Sequence, residues 1–136
     1  MLESNFWKKL NIGMGSRWRS VRIENRLSAD TPDVFFSIDL GGGVRVSSMM
    51  ELKCGKINKN FTLSISHYTA GQRDFAHLHH TYLAVWCDSW IMIFNSRYSK
   101  DLFKGQSIEW HTSHAIYASK SPCWDTIQQT LINHLS

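Results

Sequence analysis

Only two of the 136 residues are proline and only three are cysteine. No Ser/Gly-rich linker, block of like charge, internal repeat or low-complexity tract interrupts the chain, so there is no place for a domain boundary and a single globular domain over 1–136 is expected. The cysteines, Cys54, Cys87 and Cys123, are odd in number and far apart, which excludes a disulfide framework and a CxxC zinc knuckle and predicts reduced, buried thiols. No apolar run approaches the roughly 18 residues that a membrane span needs. The N-terminus places Glu3, Lys8 and Lys9 inside an amphipathic pattern instead of the unbroken apolar stretch of a secretory signal, so a soluble, cytoplasmic protein is expected. The three consecutive glycines at 41–43 are not followed by Lys-Ser/Thr, which excludes a P-loop.

What is present is enough apolar sequence (43%) for a packed core and a formal charge of +4. That surplus suits an anionic partner but also serves solubility. Hydrophobic spacing predicts a short helix over 2–10 with Leu2, Phe6 and Leu10 on one stripe, stopping before the glycines of Asn-Ile-Gly-Met-Gly. A strand follows over 17–27, with Val21, Ile23 and Leu27 inward and Arg22, Glu24 and Arg26 outward. After a Gly/Lys/Asn-rich stretch over 54–60, Ser66 or Thr69 caps a helix reaching about His80, with Phe75, Leu78 and Tyr82 inward. Residues 82–87 and 90–94 read as a buried hairpin, and Ser121-Pro122 opens a last helix with Trp124, Ile127, Leu131 and Leu135 inside. The expected order is α-β-β-β-α-β-β-α, an α/β layered domain with helices flanking a central mixed sheet.

The clearest alternation runs over 31–53. Val34, Phe36, Ile38 and Leu40 share one face and Asp33, Phe35, Ser37 and Asp39 the other; beyond the glycine turn Val44, Val46, Ser48, Met50 and Leu52 continue the apolar face. With Leu40 opposite Val44, Asp39 faces Arg45, Ser37 faces Ser47 and Asp33 faces Glu51. Like charges directly opposed destabilise a ladder, so a cation is expected between them: Lys53, on the same face, or a divalent metal. Two carboxylates from adjacent strands with the Leu52 backbone carbonyl suit Mg²⁺, which polarises a phosphodiester and activates a bound water. Lys53 is then free to orient or deprotonate that water, or to offset transition-state charge. The alternative is an ordinary hairpin whose outer residues are simply solvated.

Thr31-Pro32-Asp33 followed by Glu51-Leu52-Lys53 at the end of the next strand resembles the PD-(D/E)XK nuclease superfamily, and the compact layout over about 1–94 is similar to archaeal-type Holliday junction resolvases and phage VRR-NUC nucleases. The resemblance implies a restriction-endonuclease-like core, with Asp33 and Glu51 as metal ligands and Lys53 as the catalytic lysine. By position it adds Glu3, on the first helix, as a further site acid and Gln72 as a site glutamine. For each the alternative stays open: a helix N-terminal acid favoured by the macrodipole, and a solvent-facing helix residue. Glu24 is another candidate fourth acid, or one half of a surface ion pair. The chain departs from the VRR-NUC pattern in having Val44-Arg45-Val46 and a triple-glycine turn.

The expectation is therefore a Mg²⁺-dependent endonuclease (Mn²⁺ substituting) that hydrolyses DNA phosphodiesters, selective for Holliday-junction or other branched DNA and a homodimer by resemblance. Arg17, Arg19, Arg22, Arg26, Arg45, Lys56 and Lys59 are expected to border the acids and hold phosphates. An end-processing exonuclease or repair nuclease, and a non-catalytic nucleic-acid-binding module on the same fold, are the alternatives. His77, His79 and His80 do not share a helix face and do not read as a zinc site. His111 and His114 are expected in a surface loop, and the six tryptophans in the core or at an interface.

Overall fold

The structure is a computed structural model that describes residues 1–23 and 30–135; Glu24, Arg26 and Leu27 lie outside the described residues. Helix α1 (Glu3–Met14) leads into strand β1 (Trp18–Arg22). The hairpin of β2 (Val34–Gly41) and β3 (Val44–Ile57) follows, then the short β4 (Leu63–Ile65), α2 (Ala70–His79), and a second hairpin of β5 (Tyr82–Cys87) and β6 (Trp90–Phe94). A single 3-10 turn (Ser96–Tyr98), α3 (Ile108–His114), β7 (Tyr117–Ser119) and α4 (Trp124–Leu135) complete the described chain. The fold is α/β, a mixed sheet of seven strands flanked by four helices among the described residues, with order β1-β2-β3-β5-β6-β7 and β4 paired to β3. Among the described strands only β3 and β5 run parallel, joined through β4 and α2. Among the described residues no helix is long and apolar enough to cross a membrane.

Two apolar clusters, one per face, hold the layers together. Phe6, Leu10 and Met14 of α1 and Ile127 and Leu131 of α4 pack on Val34, Phe36, Ile38, Met50 and Leu52 of the sheet. On the other face Leu83, Val85, Met92 and Phe94 lie under Leu102 and the α3 segment. Burial on this scale is the main stabilising term, at about 25 cal/mol per Å² of apolar area.

The predicted hairpin register holds from Val34 opposite Met50 to Asp39 opposite Arg45. The turn differs: Gly41, not Leu40, pairs with Val44, which leaves Leu40 as a bulged residue. Gly41, Gly42 and Gly43 all have positive φ (88°, 61° and 81°), a backbone that side-chain-bearing residues rarely adopt, so the tight reversal needs all three.

Several expectations are corrected. Helix α1 does not stop before the glycines but runs through Gly13 to Met14 and ends at Gly15 with φ 74°. Met14 is worth burying, and Gly13 lets α1 lie flat on Trp124, since a Cβ there would run into the indole. Leu2 precedes the helix and is exposed. Strand β1 has the opposite phase: Trp18 is buried and Val21 is 58% exposed. Trp18 stacks on Phe36 and donates Nε1–H to Asn11, while Ser20 accepts from Trp7, so an indole's larger apolar area decides which face turns inward.

In α2 the inward residues are Arg73 and Ala76, and Leu78 is 70% exposed. The Arg73 guanidinium donates to the carbonyls of Tyr68 and Ser99 (3.1 Å each) and of Leu102, and lies over the Tyr68 ring, so a buried charge takes the place assigned to a leucine. Tyr82 belongs to β5. Helix α4 begins at Trp124, because Cys123 O accepts its first helical bond and Ser119 donates to the Ser121 carbonyl; Ser121-Pro122 lies just outside it. The elements β4, α3 and β7 were not anticipated. His111 and His114 are on α3, not in a surface loop, and His111 is fully buried, its Nε2 accepting from Phe103 N–H at 2.9 Å. All three cysteines are free, but only Cys87 is buried; Cys54 is half-buried and Cys123 exposed.

Candidate metal and catalytic centre

The centre forms where β2 begins and β3 passes beneath the start of α2. Buried Pro32 leads into Asp33, which sits just outside the β2 ladder and is fixed on both sides. Its carbonyl accepts from Ile23 N–H at 2.7 Å, and its Oδ2 accepts from Leu52 N–H at 3.1 Å. In extended backbone a residue's N–H and C=O point to the same side, so the Leu52 carbonyl opens toward Asp33 as well.

Glu51 and Lys53 flank Leu52 on the opposite face of β3 and are 6% and 5% exposed. Met50 to Lys53 are all buried, because the first core cluster covers one face of the strand and the α2 side covers the other. Lys53 Nζ lies 3.4 Å from Glu51 Oε1 and donates to the His67 carbonyl at 3.1 Å. That carbonyl is aimed by a left-handed backbone at His67, φ 63°.

Burial pushes the Glu51 carboxyl up to about 8; the negative charge of Asp33 and a hydrogen bond between the two acids add to this, and Lys53 opposes it. The neutral form of Glu51 is therefore favoured although an ammonium stands beside it. Burial also raises Glu3, in the first turn of α1, against the pull of Lys53, with the charge of Asp33 raising it further; the helix thus brings a third acid into electrostatic range of the pair.

Gln72 reaches the same place from α2. Its Oε1 accepts from Thr69 N–H and the Thr69 hydroxyl accepts from Gln72 N–H, both at 3.1 Å, forming a capping box. Its Nε2 then points at Glu51 Oε1 from 3.5 Å, the outer edge of hydrogen-bond range. The Thr69-Ala70-Gly71-Gln72 spacing carried that signal in the sequence. His67 carried none, since it acts through its backbone carbonyl.

The basic residues divide. Arg22 lies over the Trp7 ring and within electrostatic range of Glu3, so it stands near the acids. Arg17 donates to the Asp39 carbonyl, and Arg45 bonds Ser37 and pairs with Asp39, which places both at the turn end of the hairpin; Arg45 is about 20 Å along β3 from Glu51. Arg19, Lys56 and Lys59 are exposed, with Lys56 about 10 Å beyond Lys53.

Among the described residues no three His, Cys, Asp or Glu side chains converge as a metal-binding group. The donor set on offer is Asp33, Glu51 and the Leu52 carbonyl. Its chemistry fits Mg²⁺: all donors are hard oxygens, and one or two carboxylates with waters are the usual protein share for that ion. One lysine stands beside two neighbouring acids, and burial with the charge of Asp33 disfavours the Glu51 carboxylate, so a divalent cation would supply the missing positive charge.

The chain matches no family model, no curated protein and no solved structure.

Proposed function

We propose that this protein is a Mg²⁺-dependent deoxyribonuclease of the PD-(D/E)XK kind, with Mn²⁺ able to substitute. The observation that carries the proposal is geometric: Asp33 is held on the Leu52 amide at 3.1 Å, beside a buried Glu51 that has Lys53 at 3.4 Å. In an ordinary solvated hairpin neither acid would be so short of countercharge.

Asp33, Glu51 and the Leu52 carbonyl would hold the metal, which when bound supplies Lewis-acid polarisation of a phosphodiester and a water of lowered pKa. Asp33 is kept in place by the Leu52 and Ile23 amides. Gln72 holds Glu51 from the far side while its own amide oxygen is occupied by the helix cap, so Glu51 has little freedom to turn away. Lys53, steadied by the His67 carbonyl, presents an ammonium that donates to a phosphate oxygen or to the attacking water and offsets charge in the transition state. Arg22 and Lys56 supply phosphate contacts near the centre, and the more distant basic residues contribute salt-sensitive affinity.

A chain of this size has little surface for reading base sequence. Selectivity for distorted or branched DNA is the corresponding proposal for its substrate, with a pair of chains acting on a junction. The test is to incubate the protein with linear, nicked, flapped and four-way DNA, with and without Mg²⁺, beside Glu51→Ala. Mg²⁺-dependent strand scission that prefers the four-way or flapped substrate and vanishes in Glu51→Ala is expected. Degradation confined to linear ends would make it an exonuclease, and binding that no metal converts into cleavage would remove the enzyme.

A further inference from the structure

On the α1/α4 side of the sheet, away from the acid pair, lies an open cleft of about 450 Å³ lined by Lys9, Ile12, Gly13, Trp86, Pro122 and Trp124. That size is typical of small-ligand sites, and so is the make-up: apolar walls and one polar group. The walls are fixed. Trp86 packs edge-on against buried Phe6 (5.4 Å, 83°) and donates Nε1–H to the Asp88 carbonyl at 2.9 Å. Trp124 lies against the backbone of α1 at Gly13, where any side chain would collide with it. The two indoles are 6.4 Å apart and inclined at 44°, so they form a wedge open to water. Ile12 is 82% exposed at its lip, an aliphatic side chain that nothing among the described residues covers.

We propose that this wedge takes a single unpaired nucleobase of the nucleic acid on which the carboxylate centre acts, an inference that rests on the nuclease reading. A planar ring can stack on one indole and meet the other edge-on, whereas the separation is too small for full insertion between them. Indole platforms beside a cation are the general means of holding single-stranded nucleic acid, because every base has a π-face. A paired base keeps both faces inside the duplex stack, so the wedge selects against duplex.

Charge and position favour this occupant. Lys9 Nζ stands over the Trp86 ring, 6.0 Å from its centroid, on a long exposed side chain that can turn outward to the phosphate of a stacked nucleotide. The lining holds no carboxylate, and no ion pair engages Lys9 among the described residues. Trp86 pairs with Cys54, the residue after Lys53, and Lys9 lies about 9 Å along α1 from Glu3. The wedge lies on the other face of the sheet from Glu51 and Lys53, so a strand at the acids reaches it past the Glu3 end of α1; capturing a base that distortion has released gives the nuclease a physical basis for preferring distorted DNA.

The test uses the full chain in EDTA, so that nothing is cut, with an oligonucleotide carrying 2-aminopurine, a base whose fluorescence is quenched on stacking, as single strand and as duplex. The wild type is expected to quench the single strand and leave the duplex bright. Ile12→Glu and Lys9→Glu, both at exposed positions, are expected to weaken single-strand binding about tenfold and to abolish the quench. Lys8→Glu, with the same charge change on the same helix but outside the cleft, should weaken single strand and duplex alike and keep the quench. A bright single-strand complex, or equal effects of the Lys8 and Lys9 variants, overturns the proposal. If Mg²⁺-dependent cleavage stands while the probe stays bright, only the wedge falls; if the protein neither binds nor cuts DNA, the nuclease reading falls with it.

Discussion

At the turn end of the β2–β3 hairpin, Asp39 faces Arg45 across the ladder at 3.8 Å, and the two side chains are 48% and 38% exposed. About 20 Å away, on the same two strands, Asp33 meets Glu51 at a site where Glu51 is 6% exposed. The alternation is the same, and one register runs from Asp39–Arg45 to Val34–Met50, one residue short of Asp33. One end pairs opposite charges in water, where an ion pair contributes about 0–1 kcal/mol. The other end brings like charges together under a helix, where burial and the charge of Asp33 push the Glu51 carboxyl up to about 8. Register decides which side chains meet, and the layer above decides whether the meeting is chemically consequential. At this hairpin that layer is the start of α2 with Gln72, together with the loop that presents the His67 carbonyl.

The largest effect expected from breaking this contrast is on activity. Asp33→Asn or Lys53→Met should lower the rate of DNA cleavage in Mg²⁺ by at least about a hundredfold, since metal ligation and charge stabilisation at the phosphate are removed separately. Circular dichroism should show both variants folded. Cleavage within a few-fold of wild type in Lys53→Met would remove the lysine from the mechanism.

Next is the dependence of stability on pH. Glu51 is raised from about 4.5 unfolded to about 8 folded, so the native state binds an extra proton between those values. Its stabilising contribution is fully present below pH 4.5 and is lost as pH rises through 8. Thermal melts of metal-free protein should therefore fall from pH 5 to pH 9 more steeply for wild type than for Glu51→Gln, which cannot ionise. Mg²⁺ should raise the melting temperature of the wild type most at the alkaline end, where no proton competes for the carboxylates, and should do little for the variant. Parallel pH profiles for the two proteins would mean that Glu51 is not a buried acid of this kind.

Gln72 separates capping from site geometry. Gln72→Ala should cost about 1 kcal/mol of stability from the lost cap, read as a shift in urea midpoint, and should reduce cleavage about tenfold. Gln72→Glu keeps the capping box but sets another acid beside Glu51; it should restore most of the stability and none of the activity. Recovery of both in Gln72→Glu would show that the residue serves the helix alone.

The hairpin and its acids were legible because a strand has period 2 and a glycine turn fixes the pairing, so residue numbers alone bring Asp33 to Glu51. The bulge at Leu40 absorbs the misplaced turn without disturbing that register. The phase of β1 was not legible, because Val21 and Ile23 alternate as convincingly as Trp18 and Ser20, and only the Phe36 ring to be covered decides between them. Nor was the inner face of α2: an arginine becomes a core residue when three carbonyls from outside the helix are in place to receive it. The segment from Asn95 to Lys120 has weak local periodicity, and α3 depends on contacts such as Phe103 N–H to His111 that lie outside any helical pattern. Gly13 looks like a stop in the sequence because glycine ends helices more often than it clears room for an indole, and Trp124 is far away in sequence.

The smallest effect belongs to the open end of the hairpin. Arg45→Ala removes the 3.8 Å contact to Asp39 and the 2.9 Å hydrogen bond to the Ser37 hydroxyl, both in water, so the free energy of unfolding should change by no more than about 0.5 kcal/mol. Cleavage at saturating DNA should be unchanged, because Arg45 is too far from Glu51 to reach the same phosphate. A phosphate contact would instead appear in binding, as a weakening at low salt and a salt-dependence slope shallower by about 1. An unaltered slope would restrict the phosphate-binding surface to the Arg22 and Lys56 side, and a large fall in the maximal rate would mean that the two ends of the hairpin are coupled through the ladder and do not act independently.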